Sequence, residues 1–343
     1  MNLFELTRAL VDIESISENE AAVGDFLISH LGKLASGTGG RVEKMGAAVM
    51  GAGKPGRANV LAWWGEPRVT LSTHMDTVPP FFPSREDDEF IWGRGACDAK
   101  GIIAAMIAAA ERLLEQKTIN FALLFVVGEE RNSAGAMAAA RAPRGSRYLV
   151  NGEPTENKLA LASKGTLRLE LTAHGRMAHS AYPELGESAI DKLLDALEAI
   201  RRVSLPTDEL FGASTLNIGT ISGGRAPNVI ADSAKAELLV RLVGDPAPVR
   251  EAFARAAGAR AELKEVLHIP AIRFATVDSL PTTVVSYTTD VPVFGRSWGE
   301  PLLLGPGSIT VAHTLEERIS KRELAEAAGL YARVVQKLLA KAS

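Results

Sequence analysis

An α/β fold with a second, inserted α+β unit is predicted for this chain, and three observations predict it. The length of 343 residues corresponds to about two domains at roughly 150 residues each. From residue 58 onward, apolar runs of strand length alternate with runs of helical spacing, the signature of a layered α/β sheet. Around Lys164 the order changes to β-α-β-β-α-β, that of a split βαβ unit, before the first pattern resumes near residue 271.

Each element has its own reason. Leu3, Leu6, Leu10 and Val11, then Val23, Phe26, Leu27 and Leu31, recur at helical spacing, so the first ~35 residues read as two helices interrupted between Ser15 and Asn19. Asn59 to Trp64 and Val69 to Ser72 read as strands, Gly101 to Gln116 as a buried helix and Phe121 to Val127 as a fully buried strand. Asn132 to Ala140 reads as a helix and Tyr148 to Val150 as a short strand, and this alternation implies a largely parallel sheet. In the inserted unit, Thr166 to Ala173 suggests a strand, Glu187 to Arg202 a helix, and Ser214 to Ile221 and Val229 to Leu242 two strands. Ala247 to Ala257 then suggests a helix and Ala261 to Leu267 the last strand. Thr282 to Tyr287, Leu302 to Leu304 and the amphipathic helix Lys321 to Leu339 return to the first sheet. The expected division is residues 1–163 with 271–343 as one domain and 164–270 as the other.

Charge and composition exclude several classes. With 38 Lys and Arg against 41 Asp and Glu, the net charge is -3 and offers no basic excess to attract nucleic acid. The run Gly101 to Ala110 is broken by Glu111, well short of the ~20 apolar residues that a spanning helix needs. Glu5, Arg8, Asp12 and Glu14 interrupt the N-terminal apolar residues, which is not the pattern of a secretory leader, so a cytoplasmic protein is expected. Cys97 is the single cysteine, which excludes an internal disulfide and a cysteine-based zinc cluster. A bound metal must be held by histidine and carboxylates.

Some signatures fail in context. Gly51, Gly53 and Gly56 form G-x-G-x-x-G, but Pro55 lies inside it and a strand pattern follows, whereas a dinucleotide fingerprint opens a helix. His313-Thr314-Leu315-Glu316 begins like a zincin helix without the second histidine, and no G-x-S-x-G elbow is present. His30, His174 and His268 read as ordinary surface or packing residues, and Cys97 as a small buried one.

What remains lies where predicted strands end. Val69 to Ser72 runs into His74-Met75-Asp76, Gly93 to Asp98 precedes a helix, Phe121 to Val127 runs into Glu129-Glu130, and Tyr148 to Val150 into Gly152-Glu153. In an open α/β sheet that edge binds ligands, so these groups converge, and clustered carboxylates with histidine suit Zn, Mn or Co. Asp76 is two residues from His74 and placed to accept the second ring N–H of a ligand imidazole. Glu129 and Glu130 diverge in extended backbone, so one can hold metal while the other faces water.

These motifs resemble peptidase family M20, the dinuclear metallohydrolases that include acetylornithine deacetylase, succinyl-diaminopimelate desuccinylase, aminoacylase and glutamate carboxypeptidase. The resemblance covers essentially the whole chain and implies a zinc-peptidase-like catalytic domain interrupted by a lid and dimerisation domain. It implies two divalent ions, zinc first with cobalt or manganese as alternatives. His74 and Glu153 would hold one, Glu130 and His313 the other, and Asp98 would bridge them. Glu129 would be the general base, Asp76 would orient His74, and His179 of Gly175 to Ser180 would stabilise an oxyanion. Asn228 and Arg241 match the lid residues that hold a substrate carboxylate, and Gly305 lies in the segment like the glycine-rich substrate loop. A cis peptide after Asp98 is also expected. Ala99 stands where several members carry a second acidic residue, and the chain is short for the family. Glu316 and Glu317 either support His313 or cap the following helix.

The expected activity is hydrolysis of an N-acyl amino acid, of deacetylase or desuccinylase type. A carboxypeptidase or dipeptidase is the alternative, and a catalytically silent metal-binding protein the second alternative. A small substrate with a free carboxylate and a homodimer through the lid complete the expectation.

Overall fold

The computed structural model describes residues 1–46 and 56–342, so Gly51 and Gly53 of the discarded glycine motif lie outside the described residues. Two compact units result: residues 1–161, 274–283 and 289–343 form the first, and residues 162–273 with 284–288 the second. Among the described residues no helix is long and apolar enough to cross a membrane.

The first unit opens with two helices. Asn2 caps Leu3–Val11 by accepting from Phe4 and Glu5 N–H while Glu5 returns a bond to Asn2 N, a reciprocal arrangement that satisfies free amides at the helix start. Ala21–Thr38 follows and ends at Gly39, whose φ of 75° closes the helix in the left-handed region. The sheet then runs in the order Arg41–Met45, Asn59–Trp64, Phe121–Val126, Val69–His74, Tyr148–Asn151, Glu300–Leu303 and Leu159–Ser163. The chain passes into the second unit within Leu159–Ser163.

The four central strands are parallel, as the alternating pattern predicts, whereas the flanking ones are antiparallel and make the sheet mixed. Residues 65–68 join Asn59–Trp64 to Val69–His74 and reverse the chain direction, and Phe121–Val126 lies between these two strands. Phe121–Val126 and Val69–His74 are buried at every position, which is why they read as continuous apolar runs. The helix Lys100–Glu115 is buried along almost its whole length, from Ile102 and Ile103 to Leu113, and packs against Lys321–Lys341 and Leu3–Val11. Each fully buried Ile or Leu there contributes about 1.5–3 kcal/mol. Gly152 lets this helix come close, since a Cβ would stand 2.5 Å from Ile102 Cγ2 and Met106 Cε.

The second unit is a four-stranded antiparallel sheet in the order Thr215–Gly223, Ser233–Leu242, Gly165–His174 and Glu262–Ile269. Leu167, Leu169, Leu171 and Ala173 face the core opposite Val240, Leu238, Ala236 and Ala234, the period of two that specifies register. Ala189–Arg201 and Pro246–Ala257 cover that face through Leu193, Leu197, Val249 and Phe253. The other face is charged, with Lys235–Glu170 and Arg168–Glu237 ion pairs. The helix begins two residues later than expected because Ser188 caps it, accepting from Asp191 N. The strand expected from Val229 begins at Ser233, since residues 229–232 turn and Val229 bridges to His179.

Candidate metal centre

His74 is the last residue of a buried strand in the parallel part of the sheet, and its ring is almost wholly enclosed. Its Nε2 lies 2.9 Å from Asp98 Oδ1. Asp98 ends the turn before the helix Lys100–Glu115, and its peptide bond to Ala99 is cis, as expected. Its second oxygen faces His313 Nε2 at 3.4 Å, and the same nitrogen is 2.7 Å from Glu130 Oε1. One carboxylate thus addresses two histidines. His313 has a φ of 63°, a left-handed conformation that non-glycine residues hold where the surroundings demand it. The donor atoms of His74, Asp98 and Glu130 lie within 4.8 Å of one another.

Asp76 meets the His74 ring through two acceptors. The closer acceptor for His74 Nδ1 is the Asp76 backbone carbonyl, at 2.9 Å, while the nearest carboxylate oxygen is 3.6 Å away. The carboxylate also accepts from Glu129 N at 3.0 Å, Glu130 N at 3.2 Å and Ser17 Oγ at 2.6 Å. It therefore fixes the turn on which both glutamates stand. Gly128 makes that turn with a φ of 77°, where a Cβ would meet Arg57 Nη2 at 2.5 Å.

Glu153 is buried, and its Oε1 has no hydrogen-bond partner among the described residues. Gly305 is buried against it; a Cβ there would stand 2.5 Å from the Glu153 carbonyl, and Gly305 N donates to Thr155 Oγ1.

Electrostatics follow from so many acids in one place. Burial, with the Asp98 charge added, pushes Glu153 well above the ordinary carboxylate range. Burial and the Glu153 charge do the same to Glu129. Burial also opposes ionisation of Asp98, but hydrogen bonds from His313 and His74 outweigh it and hold Asp98 far below that range. Hydrogen bonding to Asp98 and Glu130 lifts His313 to about 10. An orphaned buried carboxylate oxygen beside nitrogen and oxygen donors, with no sulfur, is an arrangement that fits divalent zinc, manganese or cobalt.

The remaining candidates belong to the second unit. His179 is exposed; its Nδ1 accepts from Ala181 N at 3.1 Å, which leaves the neutral ring its proton on Nε2. Asn228 is exposed on the neighbouring loop, and its backbone carbonyl accepts from Ser180 N. Arg241 is half-buried, donates to Thr166 Oγ1 at 2.8 Å and forms no ion pair with a described residue.

With this geometry in place, comparison with known proteins decides the family: the model for peptidase family M20/M25/M40 matches residues 70–337. The chain belongs to that family. A peptidase M20 domain-containing protein of Schizosaccharomyces pombe is 37% identical to it over 97% of this chain and 84% of the relative. A probable carboxypeptidase of Aspergillus niger is 37% identical over 96% of this chain and 88% of the relative. Among solved structures, aminopeptidase PepT of Bacillus cereus superposes with a TM-score of 0.77 at 22% identity, covering 98% of both chains. An M20 metallo-carboxypeptidase of Sulfolobus solfataricus gives 0.74 at 17% identity, covering 98% of this chain and 99% of that one. These two likenesses concern the fold. As a family M20 peptidase, the protein is a metal-dependent hydrolase.

One group of this M20 enzyme escaped the sequence reading. Asp290 is 1% exposed with Ser133 beside its carboxylate, and burial pushes it up to about 7. It interacts electrostatically with His74 and Asp76, yet stands more than 130 positions from every ligand candidate except His313. A lone aspartate before a four-residue helix gives no periodic or motif signal.

Proposed function

We propose that the protein is a two-metal peptidase that cleaves an amide bond next to a free carboxylate, of carboxypeptidase or dipeptidase type. The observation that carries it is Asp98, which turns one oxygen to His74 and the other to His313. In this reading His74 and Glu153 would hold one ion and Glu130 and His313 the second, with Asp98 serving both. Bound divalent cations would supply Lewis-acid polarisation of the scissile carbonyl and make water acidic enough to react near neutral pH.

The chain's own residues do the rest. Glu129, whose carboxylate is made more basic by burial and by Glu153, takes the proton of the attacking water and returns it to the leaving amine nitrogen. Asp76 holds Glu129 in place through its backbone N–H. His179 is assigned the oxyanion, because the hydrogen bond to Nδ1 leaves Nε2–H as its donor. Arg241, lacking an acidic partner among the described residues, is assigned the substrate carboxylate, with Asn228 beside it.

The printed description of the Aspergillus niger relative supports the peptidase form. Deacylation of an N-acyl amino acid uses the same groups and is the second reading. A homodimer through the second unit is part of the proposal, supported by the edge strand Thr215–Gly223, which is long, is unpaired on one side among the described residues and carries Ile221 at 55% exposure.

The test is hydrolysis of dipeptides, their C-terminal amides, and N-acetyl and N-succinyl amino acids, by metal-free protein with and without added Zn, Co or Mn. Metal-dependent cleavage of dipeptides but not of their amides is expected. Preference for the N-acyl amino acids would favour the deacylase reading, and tight metal uptake without turnover would favour a silent protein. Arg241→Met should raise KM for the free-acid peptides about 10–100-fold, the loss of one charge-assisted contact, and leave kcat less affected.

A further inference from the structure

Glu317 lies four residues after His313 and is 1% exposed. It does not cap the next helix, since Ser320 does so by accepting from Glu323 N. Its Oε1 instead accepts three backbone N–H groups of one turn: Gly95 at 2.8 Å, Cys97 at 3.2 Å and Asp98 at 3.2 Å. Its Oε2 accepts from Arg94 Nη1 at 2.6 Å, and its own carbonyl accepts from Gly93 N at 3.1 Å. Arg94 is equally buried, donates from Nε to the Pro80 carbonyl and lies over the Phe82 ring. Both oxygens of this carboxylate are therefore bonded to the segment that presents Asp98.

We infer that Glu317 is a positioning residue, a carboxylate clamp that joins the segment carrying His313 to the turn carrying Asp98 and so sets the separation of these two ligands. Asp98 faces both histidines, so a shift of its turn disturbs both halves of the centre at once. A buried Arg–Glu pair alone would need only Oε2. The three amides converging on Oε1 are what hold the Asp98 backbone, much as outer hydrogen bonds orient metal ligands elsewhere. The inference rests on the proposed ligand roles of Asp98 and His313, which metal uptake by the wild-type protein tests separately.

The experiment compares Glu317→Gln with Leu31→Ala, a core truncation in the helix Ala21–Thr38 that packs on Arg41–Met45 and Asn59–Trp64, chosen for a similar fall in the melting temperature of the metal-free protein. Zinc affinity is read by chelator competition and ligand geometry by the visible spectrum of the cobalt form. Glu317→Gln is expected to lose about 10–100-fold in zinc affinity and to shift the cobalt spectrum, while Leu31→Ala changes neither. Unchanged affinity and spectrum in Glu317→Gln would overturn the inference, leaving Glu317 a residue of fold stability only. Should the variant not fold, amide exchange in the wild-type, metal-free protein decides. Slow exchange of Gly95, Cys97 and Asp98 is expected, and exchange at open-loop rates would overturn the clamp.

Discussion

Glu129 and Glu130 show how neighbours take different work. Glu130 reaches His313, whereas Glu129 is tied through its backbone N–H to Asp76. Glu129→Gln should therefore lower kcat by about 10²–10⁴, the usual contribution of a general acid–base group, while metal content stays at the wild-type level. Turnover within tenfold of wild type would remove Glu129 as the base. His313 carries the pH dependence. Because Asp98 and Glu130 raise its pKa from 6.5 to about 10, the stability it lends the metal-free protein is complete below pH 6.5 and lost as pH rises through about 10. A cation must displace that proton, so metal affinity should increase with pH across this window. Calorimetry near pH 7 in two buffers of different ionisation enthalpy should register proton release on metal binding, with His313 among the groups that give up a proton.

At the scale of elements, close approach of backbones decides where ligands stand. Gly305 resembles part of a substrate loop in sequence, yet it is buried and its backbone lies on that of Glu153. Gly305→Ala must move one of the two, and overpacking of this kind costs about 1–3 kcal/mol. A lowered melting temperature and weakened metal binding are expected, with KM changing less than metal affinity. A rise in KM with metal affinity intact would return Gly305 to substrate contact. The strands were legible for a related reason: Phe121–Val126 and Val69–His74 are enclosed on both faces and so are apolar throughout. Arg41–Met45 was not, because its burial is slight and its sequence carries three charged residues; antiparallel pairing with Asn59–Trp64 makes it a strand.

For the whole molecule, each unit has its own core and its own share of the candidate residues. The metal candidates belong to the first, and His179, Asn228 and Arg241 to the second. The edge strand of the second unit is the place to test self-association. Ile221→Lys puts a charge on an exposed edge residue, so sedimentation should move from dimer to monomer without loss of the melting temperature. A wild-type monomer, or a variant that stays dimeric, would count against the lid interface.

The sequence by itself determined the kinds of donors, their order along the chain and the strand ends that carry them. Those follow from local periodicity, since an apolar run that ends in His74 or Glu129 marks its own boundary. It also contained the β-α-β-β-α-β order of the second unit. Only the tertiary structure decided what each acid is bonded to. Asp76 holds the Glu129 turn more closely than the His74 ring, and Glu317 holds the turn of Asp98, 219 positions away. Asp290 lies buried under the electrostatic influence of His74. Hydrogen bonds and burial between segments so far apart depend on how the sheet orders its strands, and no local pattern of residues records that order.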